Sequence, residues 1–378
     1  LGQGIGKLNN KTVFVKYSLP EEVLDINIIK DNKNYSFGKI VNKIKTNKNR
    51  VKPICPYYYK CGGCDLLHCN NTLEKEFKIE KCNNLLGINP IFNETKNLNY
   101  RNKITLHVRN NKLGLYQESS HKLVEIDNCY LVSDKINDLI KELKDYLKHN
   151  KVNIKEIIIK TNDIDTLLYI DGKVDNNIIN LNTNNIVVND KVLKGNNYLI
   201  KEINGYKFKI TAKSFFQVNY LGLESIYNIL NKNLKDKYNT ILDLYSGIST
   251  WGILLNKKAN NIICVESNSY ATRDAKETIK DNGINNIKVI NDKVENVIDT
   301  LINNVDLVII DPPRTGLDNK TIDYLNKINS EELIYVSCDM LSLKRDLDKL
   351  NYKIKSIELV DMFPRTYHVE SVVILERK

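Results

Sequence analysis

What most constrains this 378-residue chain is the texture of its C-terminal part. After Lys213 the strand TILDL runs into a glycine turn, YSGIST, and a helix, WGILLNKK; strand NIICVE, helix YATRDAKETIKDNG and strand IKVIND follow, and after a further helix comes VDLVIID. Parallel strands need helical crossovers, so strict strand–helix alternation predicts a doubly wound α/β sheet. Open sheets of that kind bind ligands outside the C-terminal ends of their strands, which makes the residues at those ends the first candidates for function.

Upstream the texture differs. Residues 11–17 (KTVFVKY) and 36–45 (SFGKIVNKIK) alternate like half-buried strands, with LPEE and DNKN as turns, and predict a small all-β barrel or sheet over residues 1–52. A cysteine-rich segment runs from Cys55 to Cys69, and residues 72–86 have helical apolar spacing. Between about 100 and 210, strands such as KITLHVR and EIIIKT surround one helix near 133–148, an α+β middle section. The expected division is therefore 1–52, 53–205 and 206–378.

With 42% hydrophobic and 27% charged residues the chain is globular rather than disordered. No apolar run reaches the length of a membrane span, and LGQGIGKLNN has neither a basic n-region nor an apolar h-region, so a cytoplasmic protein without a membrane partner is expected. The lack of an initiator Met suggests that a few residues precede Leu1. Of the net charge of +10, residues 1–52 carry +7, from eleven Lys/Arg against four acids. A basic module on a near-neutral remainder suits a polyanion, although a Lys- and Asn-rich surface alone also produces such an excess.

The strand ends carry chemistry. Asp243-Leu-Tyr-Ser-Gly247 gives a glycine turn that lets backbone approach a ligand, and Glu266, at the tip of the next strand, can accept both ribose hydroxyls. The turn is poor in glycine for a pyrophosphate, which points away from NAD and towards S-adenosylmethionine. Asp311-Pro312-Pro313-Arg314 fixes a carboxylate at the same edge. The strand ELIYVS delivers Cys338 just past its end, where a helix N-terminus is expected to lower the thiol pKa, whereas Cys264 inside NIICVE reads as a core residue. Asp361-Met-Phe-Pro-Arg-Thr-Tyr-His-Val-Glu370 then brings acids into an apolar, aromatic segment. A nucleophilic thiol, a sulfonium methyl donor and a carboxylate base together suggest one reaction.

Eight cysteines in a cytoplasmic chain suggest metal ligation rather than disulfides. Cys55, Cys61 and Cys64, with Gly62-Gly63 as a tight bend, form one group, and either Cys69 or Cys129 can complete it. The five histidines show no metal spacing among themselves.

From Ser214-Phe-Phe-Gln217-Val-Asn219 through DLYSG, DPPRTG, YVSCD and DMFPRTYHVE, the chain resembles the RNA uridine C5-methyltransferases, most closely the bacterial 23S rRNA members. GQGIGK…VFVKYSLPEE resembles their TRAM domain, an OB-like β-barrel, and PICPYYYKCGGC their iron–sulfur segment. The resemblance implies a TRAM barrel, a central iron–sulfur domain and a Rossmann-like methyltransferase domain. It implies S-adenosylmethionine contacts at Gln217, Tyr245, Glu266 and Asp311, Cys338 as nucleophile and Glu370 as general base. It also implies a [4Fe–4S] cluster on Cys55, Cys61, Cys64 and Cys129, a thiolate set that suits zinc as well. The substrate would be 23S rRNA, with no obligate protein partner; Tyr100-Arg101-Asn102-Lys103 and Ser120-His121 match positions that face RNA. Two departures stand out, Ser249 where a second glycine is usual and Asp339-Met340 where Asn-Pro is usual. Rival readings are a tRNA T-loop uridine methyltransferase and a non-catalytic RNA-binding protein on the same fold.

Overall fold

The computed structural model describes residues 2–150, 152–301, 304–328 and 330–378; Leu1, within the first expected unit, lies outside them. Strands β1 (Gln3–Leu8), β2 (Lys11–Lys16), β3 (Val23–Asp31) and β4 (Tyr35–Lys45) pair in the order β1-β2-β4-β3. The pairing leaves β1 and β3 as edges, so this is an open four-stranded sheet and not the closed barrel expected from the sequence. Two short alternating runs cannot specify closure, which depends on how strongly the strands tilt and stagger. Only Val13, Val15 and Leu19 of its large apolar residues are fully buried.

Helix α1 (Asn71–Leu86) follows the cysteine segment, with Asn70 accepting from the Leu73 N–H as N-cap and Gly87 ending it in a left-handed turn at φ 68°. After it, β5 (Ile91–Asn93) crosses to another layer. Strands β6 (Lys103–Arg109), β7 (Lys112–Tyr116), β8 (Leu123–Glu125), β9 (Asn153–Thr161), β10 (Thr166–Lys173), β11 (Asn185–Val188) and β12 (Lys191–Lys194) form a seven-stranded sheet. Its apolar face is covered by α2 (Asp134–His149), which buries Ile136, Leu139, Ile140, Leu143 and Leu147 at helical spacing. The hairpin β13 (Tyr198–Ile203) and β14 (Tyr206–Thr211) leads into the last layer.

There α3 (Tyr220–Asn233), β15 (Tyr238–Leu244), α4 (Thr250–Leu254), β16 (Ala259–Glu266), α5 (Ser269–Asp281), β17 (Ile287–Asn291), α6 (Val294–Val297), β18 (Leu307–Ile310), α7 (Asn319–Lys327), β19 (Glu332–Ser337), α8 (Met340–Leu347), β20 (Tyr352–Val360) and β21 (Glu370–Arg377) alternate as the pattern predicts. The sheet order is β17-β16-β15-β18-β19-β21-β20-β5, parallel from β17 to β19, with β21 inserted antiparallel between β19 and β20. Strand order reverses between β15 and β18, which is where such sheets open a ligand crevice. One layer of core lies on each face, around Ile241, Ile309, Val336 and Val372 on one side and Leu242, Val308, Tyr335 and Val373 on the other. Strand β5 pairs with β20, so residues 91–93 serve the C-terminal sheet and not the middle one. Among the described residues no helix is long and apolar enough to cross a membrane.

Candidate active site and cysteine cavity

Side chains alternate along a strand, so residues two apart share a face. Cys264, Ile309, Val336 and Val372 all belong to one core cluster. Two residues from each of them, on the same face, come Glu266, Asp311, Cys338 and Glu370; Asp243, two on from Ile241, joins them. Five chemically active side chains thus converge on one side of one sheet edge. The ladder is more specific still: Ser337 of β19 pairs with Ser371 of antiparallel β21, so the next step sets Cys338 opposite Glu370.

The pocket is acidic and poorly hydrated. Burial raises the Asp243 carboxyl to about 8 and Asp311 to about 7, with the Glu266 charge adding to both. Glu370, 3% exposed, is held well above the usual carboxylate range by burial and then by Asp311, while Arg314 pulls the other way. Burial, with Glu370 and Asp311 beside it, pushes the Cys338 thiol up to about 12. This overturns the expected lowering by a helix N-terminus: Asp339 is the N-cap of α8, and its carboxylate takes the Leu341 and Ser342 N–H groups. One oxygen of Asp243 accepts from the Gly252 N–H at 3.1 Å, and the other is buried without a partner.

The turn after β15 is strained where a ligand would meet it. Tyr245 and Ser249 both adopt left-handed backbone, at φ 59° and 60°, and Gly247 at φ 56°. Ser249 therefore occupies a position whose conformation favours glycine. The Gly247 N–H donates to Glu266 Oε2 at 3.0 Å and the Asn268 N–H to Oε1 at 2.6 Å, which fixes the carboxylate at the rim. Gln217 is buried, and Asn102 holds the backbone around it: its side chain donates to the Gln217 carbonyl and its N–H to the Val218 carbonyl, each at 2.9 Å. Lys160 on β9, also buried, donates to the Thr211 and Ser214 carbonyls at 2.7 Å just upstream.

The segment 361–370 carries two acids with different fates. Asp361 is committed to Lys78 of α1 at 2.7 Å; Lys78 also meets Glu74 at 2.7 Å, and Glu74 accepts the Arg365 N–H at 2.7 Å. Glu370 has no ion pair among the described residues. The Arg365 carbonyl accepts from the Asp65 and Leu66 N–H groups, and the Tyr100 hydroxyl donates to the Pro364 carbonyl at 3.0 Å. His368 lies against Tyr367, ring centroids 4.1 Å apart, and burial drops its pKa to about 4. Charge pattern alone does not reveal this network, because KEFKIEK reads as a solvated helix face and its partners are distant in sequence.

Cys55, Cys61, Cys64 and Cys129 line one cavity of about 430 Å³ together with Arg101 and Tyr58. The bend needs its glycine, since a Cβ on Gly62 would stand 2.8 Å from the Glu118 nitrogen. Burial raises the Cys55 and Cys64 thiols and takes Cys61 to about 11. Cys69 is excluded from this group: it packs with Leu19, Leu66 and Leu73 and donates to the Leu66 carbonyl. Cys82 and Cys264 are core residues. Among the described residues no group of three or more His, Cys, Asp or Glu side chains is gathered closely enough to hold a metal ion. Tyr100 and Asn102 are buried, and Arg101 faces the cavity, so this stretch serves internal contacts where the resemblance implied RNA-facing positions. Ser120 and His121 are exposed.

Comparison with known proteins places these features in context. Residues 162–378 match the tRNA (uracil-5-)-methyltransferase family and residues 1–41 the TRAM domain. An uncharacterized RNA methyltransferase of Clostridium tetani is 33% identical, covering 99% of this chain and 93% of its own length; one of Clostridium acetobutylicum is 33% identical over 100% and 95%. Among solved structures, the tRNA (uracil-54, C5)-methyltransferase of Pyrococcus abyssi in complex with S-adenosyl-L-homocysteine superimposes with a TM-score of 0.82. At 23% identity it covers 99% of this chain and 100% of its own, a likeness of fold.

Proposed function

This chain belongs to the tRNA (uracil-5-)-methyltransferase family, S-adenosylmethionine-dependent enzymes acting on RNA, and from that premise we propose that it methylates C5 of a uridine in 23S rRNA, with Cys338 as nucleophile and Glu370 as base. The observation that carries this reading is the ladder that ends at Ser337–Ser371, with Cys338 and Glu370 next in line and acting on one another in an acidic pocket.

Uracil C5 is a poor nucleophile. Addition of the Cys338 thiolate to C6 creates an enolate, which makes C5 nucleophilic; after methylation Glu370 takes the C5 proton and the Cys338–C6 bond breaks, freeing the thiolate. Asp243, Asp311 and Glu370 have no ion pair among the described residues, Arg314 acting on Glu370 only from a distance, and that excess of acid suits a sulfonium ligand. Glu266 would hold the ribose hydroxyls, with Gln217, Tyr245 and Asp311 around the remainder. When bound, S-adenosylmethionine supplies the electrophilic methyl and a positive charge that lowers the pKa values of its acidic neighbours, Cys338 included.

For the cysteine cavity we propose a [4Fe–4S] cluster on Cys55, Cys61, Cys64 and Cys129. Four thiols line one cavity, a donor set that suits a cluster and zinc alike, and the resemblance of the segment favours the cluster. Methyl transfer requires no electron from it; held there, it would tie segment 55–64 to Cys129. Residues 1–52 would then hold RNA, with 53–205 as the cluster-bearing unit and 206–378 as the catalytic one, and the protein would work in the cytoplasm. The second reading, a tRNA T-loop uridine as target, gains from the P. abyssi likeness, because that fold spans this whole chain, TRAM sheet included.

Incubation with 5-fluorouridine-containing rRNA and tRNA fragments plus S-adenosylmethionine should trap an adduct on Cys338 with an rRNA fragment. Trapping by tRNA alone selects the second reading. Binding of fragments with no adduct to any of them overturns the catalytic reading.

A further inference from the structure

Helix α1 carries three lysines at three-residue spacing and treats them differently; Lys75 pairs with Glu94 at the surface. Lys78 is fully buried and paired with Glu74 and Asp361. Lys81, one turn on, is half-buried and forms no hydrogen bond or ion pair among the described residues. Its ammonium stands 5.8 Å from the centroid of the Tyr367 ring, which in turn lies on His368. Helix α1 packs against α8, whose N-cap Asp339 follows Cys338 directly.

A second cation faces the same place. Arg314 is exposed, also has no hydrogen bond or ion pair among the described residues, and acts electrostatically on Cys338, Glu370, Tyr367 and His368. Burial already holds the Lys81 ammonium below the usual lysine range, with only the Asp339 charge opposing. A partly desolvated cation left without a contacting carboxylate is unfavourable in the free protein and suits an anion that arrives with the substrate. Both cations act on the Tyr367–His368 pair: Lys81 stands over the Tyr367 ring, and Arg314 acts electrostatically on both residues.

We propose that Lys81, together with Arg314, binds a backbone phosphodiester adjacent to the target uridine, so that the base enters the pocket while its phosphate stays at the rim. This rests on the RNA methyltransferase reading above. It assigns α1, an element otherwise used for packing, a direct part in holding the RNA strand.

The test uses the full-length protein and a single-stranded RNA carrying 5-fluorouridine that wild type traps. Equilibrium binding is followed from 50 to 300 mM salt before S-adenosylmethionine is added. Lys81→Met should weaken binding roughly fivefold at 0.1 M salt and lower the salt slope by about 0.7, the contribution of one single-strand phosphate. Lys81→Arg should restore both, and S-adenosylmethionine affinity should stay at the wild-type value in each variant. A neutral methylphosphonate next to the 5-fluorouridine should reproduce the loss in wild type and add nothing in Lys81→Met. An unchanged slope in Lys81→Met, or additive effects of variant and methylphosphonate, overturns the inference. If wild type traps no RNA at all, the methyltransferase reading falls, and this inference with it; wild-type trapping with an unchanged slope removes only the role of Lys81.

Discussion

The first sheet and the last invert each other. In β1–β4 the apolar residues Ile5, Val23, Ile29, Val41 and Ile44 stand in solvent, amid exposed Lys7, Lys30, Lys33, Lys39, Lys43 and Lys45. At the edge of β15–β21 the apolar residues are hidden, and so are the acids Asp243 and Glu370. Each region breaks the usual sorting of apolar inside and charged outside, in opposite directions. A surface that exposes apolar and basic groups together is built to be covered by something large and anionic. A pocket that buries acids is built to receive something small and cationic.

The largest expected effect tests the pocket. Cys338→Ala should lower methyl transfer by about 10⁴-fold or more and abolish the 5-fluorouridine adduct, since no neighbouring group replaces a thiolate nucleophile. Glu370→Gln should instead accumulate RNA–protein adduct with normal uridine, detectable by denaturing gel, because the C5 proton then has no acceptor. If Glu370→Gln turned over at the wild-type rate, the paired roles would be wrong.

Next comes the ionic network behind the pocket. Lys78→Met leaves Asp361 buried without its cation and Glu74 with Arg365 alone, and should destabilise the fold by about 3–5 kcal/mol in urea titrations. An equal effect from Lys81→Met would erase the distinction drawn between the two lysines.

The buried acids also set a pH dependence. Asp243 and Asp311 have folded pKa values of about 8 and about 7, above their unfolded 3.8. Between pH 4 and pH 8 the folded state therefore binds more protons than the unfolded one, and stability falls as pH rises. Thermal unfolding from pH 5 to 8.5 should show this fall, and S-adenosylmethionine should flatten it. A stability that rises across that window would mean the acids are neutralised from within.

The smaller effects belong to the first sheet. Lys39→Gln, Lys43→Gln and Lys45→Gln combined should reduce the salt slope of RNA binding by about one to two while leaving S-adenosylmethionine affinity unchanged. Ile29→Ser should alter stability by less than about 0.5 kcal/mol, because its side chain is already in water. A larger loss would mean that the exposed apolar face packs on part of this chain.

Legibility in the sequence followed the range of the interactions. Alternation exposed the parallel sheet, since each βα unit writes its own period. The positions of Glu266, Asp311 and Cys338 at strand ends were equally local, whereas Glu370 joined them only through the family resemblance. Ladder partners were not legible: the three residues of β5 are too few to show a period, and nothing near Ile91 announces β20. Nothing in the spacing of residues 72–86 marks Lys78 as buried, because its partner Asp361 is 283 residues away. The Cys338 thiol was misjudged for a related reason: the helix start was visible in SCDML, but Glu370 and Asp311, the acids that act on it, arrive from two other strands. Closure of the first sheet failed as an expectation because strand tilt leaves no mark in a hydrophobic pattern.

The position of β21 has a further consequence. This strand lies inside the sheet, hydrogen-bonded on both sides, and it begins with Glu370. During synthesis, β19 and β20 must therefore wait with unsatisfied edges until residues 370–377 leave the ribosome, and β5 and α1, made long before, must wait for β20 and Asp361. A chain arrested short of this strand lacks the proposed base and presents two open strand edges to the cell's proteases and chaperones. The arrangement makes the proposed catalysis conditional on the synthesis of this strand, so that a chain that stops before it, although it already carries the cysteine cavity and the basic sheet, has no assembled pocket in which to modify RNA.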